Sequence, residues 1–177
     1  MPVALEHAIL VSLSEQSGSG YELARRFDKS IGFFWSATHQ QIYRVLTRMD
    51  AAGWVAGTVV SRDGRPDKKV YSVADAGRAE LDRWIAEPAD PSRLRDELAV
   101  KIRGAALGDV EAVRTEVRRH RQVHSERLEM YRLIEKRDFP SPESVEGAAL
   151  HQYLVLRGGI RVEEGFTQWC DEILERL

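Results

Sequence analysis

A single cysteine, Cys170, is all that this 177-residue chain offers for thiol chemistry. One thiol excludes an intrachain disulfide and fits a reducing cytoplasm. There is no run of about 18 apolar residues, so no membrane span is expected. The opening stretch, MPVALEHAILVSLSEQ, carries neither a basic n-region nor a small-residue cleavage site, and no secretory signal is expected from it. Also missing are a phosphate-binding P-loop and a Gly-x-Ser-x-Gly nucleophile elbow. Gly18 and Gly20 do not complete a dinucleotide fingerprint, because Leu23 stands where the third glycine would be. These absences leave no cofactor and no catalytic residue to expect. A net positive charge is lacking too: 26 Lys and Arg against 28 Asp and Glu leave −2. The total says nothing for nucleic acid, and only an uneven distribution would.

That distribution is uneven. From Ser36 to Lys69 six basic residues (Arg44, Arg48, Arg62, Arg65, Lys68 and Lys69) face three acids, a local net charge of +3. The stretch opens with a helix signature. Thr38 is a candidate N-cap with Gln41 at the capping-box spacing, and Ile42, Val45, Leu46 and Met49 form one apolar stripe. Gly53 is placed to end the helix. The opposite face carries Gln40, Tyr43, Arg44, Thr47 and Arg48, side chains that reach base edges or phosphates, and none is acidic. Thr47 and Gln40 would serve any solvated helix. Two β-prone runs follow, Trp54 to Ser61 and Lys68 to Val73, around the turn Arg62-Asp63-Gly64-Arg65-Pro66-Asp67. A helix followed directly by a basic-tipped hairpin predicts a reading helix and a wing. Arg65, between Gly64 and Pro66, sits on a tight tip suited to a minor groove.

Ahead of it, residues 3–14 read as a helix with Leu5, Ala8, Ile9, Ser12 and Leu13 on one face. Gln16 to Gly20 reads as a turn. Ser19 and Glu22 form a second capping box that opens a helix with Leu23 and Phe27 inward. This is a helix-turn-helix order, in which one helix braces the reading helix. Phe33, Phe34 and Trp35 are expected to pack beneath that helix rather than stack on bases. After the wing, Asp75 opens a helix through Leu81, Trp84 and Ile85. Pro88 and Pro91 then break the chain and mark the domain boundary.

The remainder has no strand signal. Residues 93–106 read as helix. Val110, Val113, Val117, His120, His124, Leu128, Tyr131 and Ile134 continue a three-and-four spacing of coiled-coil type. A last helix is expected from about Glu143 to Arg176, with Gly158 and Gly159 kept where another helix approaches closely. The long helix looks too long for its own neighbours to cover, which predicts a dimerisation arm. Its interface would use Val113, Val117, Leu128, Tyr131, Leu156, Gly159, Ile160, Phe166 and Trp169, joined by Leu5 and Ile9 of the first helix. The alternative is that these faces are buried within one chain. His120 and His124 have the spacing of two metal ligands, but Arg121 stands where a metalloprotease has Glu and no third ligand is near, so no metal is expected.

The run Ser19-Gly20-Tyr21-Glu22-Leu23, then Gln41-Ile42-Tyr43, Gly64-Arg65-Pro66, Lys69-Val70-Tyr71 and Gly77-Arg78 resembles the PadR family of bacterial transcriptional regulators over about residues 3–88. Two departures stand out. Arg44 replaces the family's usual Pro, adding a basic group to the reading face. Ala74 replaces a usual Thr, which moves the expected helix cap to Asp75. The resemblance implies a mainly α protein with a small two-stranded β wing. A winged helix-turn-helix would span residues 1–88 and a helical dimerisation domain residues 89–177. It also implies a cytoplasmic homodimer on double-stranded DNA, with repression relieved by a small, often aromatic, effector or by altered expression. The DNA-facing set is Tyr21, Thr38, Gln40, Gln41, Tyr43, Arg44, Thr47, Arg48, Arg62, Gly64, Arg65, Lys68 and Lys69. The effector would be sought at the dimer interface near Trp84. The rival reading is a winged-helix protein–protein adaptor, against which Arg44 and Arg48 argue.

Overall fold

The computed structural model describes residues 4–29, 37–62, 65–91 and 96–177. Phe33, Phe34, Trp35 and Gly64 lie outside these residues, and the side chains of Arg62 and Arg65 are not described. The chain divides into two compact units, Met1–Pro91 and Ser92–Leu177.

The first unit runs α1 (Ala4–Glu15), β1 (Gly18–Ser19), α2 (Gly20–Lys29), α3 (His39–Ala51), β2 (Val55–Arg62), β3 (Arg65–Val73) and α4 (Asp75–Ala86). Helical periodicity decides what it buries. Ile9 and Leu10 of α1, Leu23 and Phe27 of α2, and Ile42 and Leu46 of α3 are all buried in one core. At the end of α3 the chain reverses at Gly53, whose φ of 73° is open to a residue without a Cβ. β2 and β3 then pair antiparallel, with Val55 opposite Val73 and Thr58 opposite Val70. The wing was expected to have two strands. A third is present, because Gly18 and Ser19 pair with Tyr71 and Val70 on the outer edge of β3, giving the order β1-β3-β2. Composition marks Gly18-Ser19 as a turn, and only its tertiary neighbour makes it a strand. The pairing holds the start of α2 against the base of the wing.

Helix α4 begins differently from expectation. Ala74, not Asp75, is the N-cap and gives no side-chain cap bond. Asp75 sits in the first turn, where its charge favours the helix dipole, and pairs with Arg78 at 3.0 Å. Two contacts fix α4. A Cβ on Gly77 would lie 2.1 Å from the Trp54 carbonyl oxygen, so only glycine permits this approach. Gly77→Ala is therefore expected to cost about 1–3 kcal/mol through overpacking, read as a fall in unfolding midpoint at unchanged m-value. Secondly, the buried His7 of α1 stacks on Trp84 with ring centroids 4.4 Å apart. Its Nε2 lies 3.0 Å from the Glu80 carboxylate. Arg83 and then His7 hold that carboxyl down to a pKa of about 2. Trp84, marked in sequence as the base of an effector pocket, thus has one ring face covered by His7.

The second unit runs α5 (Glu97–Arg103), a 3₁₀ turn at Ala105–Leu107, α6 (Val110–Asp138), a 3₁₀ turn at Pro142–Ser144, and α7 (Gly147–Arg176). α5 is shorter than its periodicity suggested, because Asp96 caps it by accepting from the Leu98 N–H. α7 starts later than Glu143, because the Pro142 turn occupies the preceding residues. Asp109 caps α6 through the amides of Glu111 and Ala112. The 29 residues of α6 pack along the 30 of α7 as a hairpin. That corrects the premise behind the interface set: α6 has a neighbour long enough to cover it. Val117, Leu128 and Tyr131 of α6, and Leu156, Gly159 and Ile160 of α7, are buried within the chain. Ile9 is likewise enclosed by the core of the first unit, with Leu5 packed against it. Phe166 and Trp169 are half-buried. His124 binds the buried Glu163 through Nδ1 and stacks on Phe166 at 4.4 Å, while His120 lies 3.3 Å from Glu116. Cys170 is fully buried and burial raises its thiol pKa.

Candidate nucleic-acid interface

The polar face of α3 is the exposed one, since the stripe opposite it is spent on the core. Its start is fixed by the expected capping box. The Gln41 N–H donates to Thr38 Oγ1 at 3.2 Å and the Thr38 N–H donates to Gln41 Oε1 at 2.8 Å. Thr38 and Gln41 therefore shape the helix end. Thr47 donates its hydroxyl to the Tyr43 carbonyl at 3.0 Å. Gln40 and Arg44 are exposed, and Arg44 has no ion pair among the described residues. Tyr43 is partly exposed, with its ring lying over Gly20. A Cβ there would come within 2.4 Å of the ring, which is why α2 starts on a glycine at this crossing.

The wing faces the same side. Between β1, the start of α2, Tyr43 and β3 lies an open groove of about 1010 Å³, lined among others by Ser19, Tyr21, Arg25, Lys68 and Tyr71. Tyr21 is exposed beneath the Arg25 guanidinium, 5.9 Å from its ring centroid. The two wing lysines lining this groove, and Arg48 on α3, each have an acidic partner. Lys68 Nζ lies 2.5 Å from Glu22 Oε1, Lys69 Nζ lies 2.6 Å from Asp50 Oδ2, and Arg48 pairs with Glu6. Lys68, aided by the Ser19 N–H, holds the Glu22 carboxyl at a pKa of about 2. Lys69 lowers that of Asp50, and Asp50 in turn raises that of Lys69. Both carboxylates are ionised at neutral pH. The structure thus groups Tyr21, Gln40, Tyr43, Arg44, Arg48, Lys68 and Lys69 on one unit. Sequence reasoning missed Arg25, Tyr71 and the three acids. Glu22 had been read only as a cap. The available signal was Gly57, a glycine inside a strand, where close approach by another group is the usual cause.

A polar, cation-bearing helix beside a three-stranded wing is an arrangement that fits the major groove with its backbone contacts. Residues 94–177 match the family described as Virulence activator alpha C-term, and residues 9–83 match the Transcriptional regulator PadR-like family. The chain belongs to the PadR-like family of transcriptional regulators. It is 58% identical to a probable transcriptional regulator of Mycobacterium tuberculosis, covering 99% of this chain and 98% of that protein. The solved virulence activator AphA of Vibrio cholerae is 31% identical, with a TM-score of 0.82 over 97% of this chain and 96% of that one. The negative transcriptional regulator PadR of Bacillus subtilis is 28% identical over 98% of this chain and 97% of its own. Its complex with operator DNA aligns at a TM-score of 0.86, with 25% identity and 98% of both chains covered. The same protein has been solved with p-coumaric acid, with a TM-score of 0.77, 25% identity, and 96% of this chain and 93% of that one covered. As a PadR-like regulator the chain is a DNA-binding protein of transcription. Among the described residues, no helix is long and apolar enough to cross a membrane.

Proposed function

We propose that this PadR-like regulator is a cytoplasmic homodimeric repressor that binds a pseudo-palindromic operator and is released by a small aromatic effector. It works by binding and not by catalysis. The observation that carries the reading is the exposed α3 face, where Gln40, Tyr43 and Arg44 stand clear of the core and Tyr43 lines one groove with Lys68 and Lys69 of the wing. In this reading residues 1–88 bind DNA and residues 89–177 dimerise. Thr38, Gln41 and Thr47 orient α3, and Arg62 and Arg65 pair across β2 and β3 at the outer end of the wing. Repression and an aromatic effector are supported by the Bacillus subtilis relative, a negative regulator solved with operator DNA and with p-coumaric acid. The Vibrio cholerae relative is a virulence activator, so the sign of control is the measurement that matters. A gel shift on the promoter region of the chain's own gene tests DNA binding, and a reporter under that promoter reads the sign. Retarded operator with reduced reporter output is expected. No shift at low salt would sink the reading.

The wing lysines are assigned to phosphates. Replacing both Lys68 and Lys69 with Ala should weaken binding to all duplexes and lower the slope of log affinity against log salt by about 0.9 per lost contact. An unchanged slope would place the wing away from DNA.

For the dimer, the surface to use is the one α7 leaves uncovered. Leu154, Val155 and Val162 are exposed, and at 100° per residue they share one face with Gly158 and Gly165. A Cβ on either glycine would meet nothing within 4 Å. Each glycine costs the helix about 1 kcal/mol relative to Ala, and close approach by a partner's helix accounts for that cost where no neighbour among the described residues does.

A further inference from the structure

The reading face and the wing treat their charges differently. Gln40 and Arg44 on α3 are exposed, whereas the two wing lysines beside the groove are each held by an acid from the helix-turn-helix. The acids are themselves anchored. Glu22 Oε2 accepts the Ser19 N–H at 2.9 Å, and Asp50 Oδ1 accepts the Gly57 N–H at 3.3 Å. Adjacent strand residues point to opposite faces, so Lys68 and Lys69 need separate partners, and they have them: Glu22 on α2 and Asp50 on α3. Gly57 opens the path for the second. A Cβ there would lie 2.1 Å from Lys69 Cε, so any other residue would push the lysine stem off its route to Asp50.

An anchored carboxylate at hydrogen-bond distance from a lysine competes with any phosphate for that lysine. We propose that Glu22 and Asp50 are internal competitors for phosphate on Lys68 and Lys69, restraining the sequence-independent part of DNA binding. The proposal rests on the DNA-binding reading above. Exposed ion pairs are weak, so a well-seated duplex displaces the acids, while a loosely held one gains only part of what the lysines offer. The acids also lower the effective number of phosphates neutralised, and with it the number of counterions released.

The test uses the full chain and a duplex of random sequence, titrated by fluorescence anisotropy across a salt series. Glu22→Gln keeps the Ser19 cap, because glutamine also serves in a capping box, and Asp50→Asn keeps an acceptor for Gly57. Each variant is expected to bind on the order of fivefold tighter near 0.1 M salt, with a slope steeper by up to about 0.9 per lysine released. Removing any acid near DNA relieves some repulsion, so Glu22→Gln is repeated in a Lys68→Ala background. Competition requires a larger gain with Lys68 present than without it. Equal gains in both backgrounds, or variants that bind no tighter than the parent at an unchanged slope, would overturn the proposal. Weaker binding would do so too, making the acids mere supports that hold the lysines toward DNA. A parent chain that binds no duplex would instead defeat the DNA-binding reading itself.

Discussion

Arg44→Ala and Gln40→Ala are each expected to cost about 1–3 kcal/mol on the operator, the range of a good bidentate base contact. Binding to random duplex should change far less. The reasoning starts from what each side chain is doing in the free chain. Thr38 and Gln41 close the capping box, Thr47 returns its hydroxyl to the helix, and Arg48 is paired with Glu6. Gln40 and Arg44 are exposed, and they are four residues apart on one helical face. Arginine is suited to the O6 and N7 acceptors of guanine, and glutamine to adenine. Titrations on operator and random duplex at one salt concentration separate the roles. Equal losses on both would mean that these residues touch phosphate alone.

The legible part of this protein was local. The stripe of α3, its Thr38 cap, the Ser19 box and the wing's two main strands all follow from spacing within a dozen residues, and the structure has them. What escaped needed a partner distant in sequence. Gly18-Ser19 becomes a strand only because β3, some fifty residues on, presents an open edge to it. Glu22 looks like an ordinary cap until Lys68 arrives from the wing, and Asp50 looks like surface charge until Lys69 does. The spacing of α6 marks an apolar seam, and the expected last helix, about Glu143 to Arg176, is long enough to cover it, as α7 does. Its period identified the buried residues, but a period cannot say which helix buries them. The same one-dimensional signal serves a hairpin within one chain and a seam between two.

That ambiguity shapes the prediction for the dimer. Leu156 is buried on α7, which packs along α6. Leu156→Asp would place a charge in that hairpin and should unfold the second unit, so it reports on stability and not on assembly. Leu154 and Val162 are both more than half exposed. Leu154→Asp with Val162→Asp should leave the hairpin folded and disrupt a two-fold contact, where each substitution acts twice. The parent is expected to sediment at twice its chain mass of 20.1 kDa, and the double variant as a single chain with the same helical circular dichroism. Two linked reading helices meet half-sites about 34 Å apart. Losing the link should lower operator affinity on the order of a hundredfold or more, the gain that bivalence supplies without new contacts. Binding to an isolated half-site should be unchanged. A parent that sediments as one chain at micromolar concentration would remove the dimer altogether. A double variant that stays dimeric would move the interface off this face of α7.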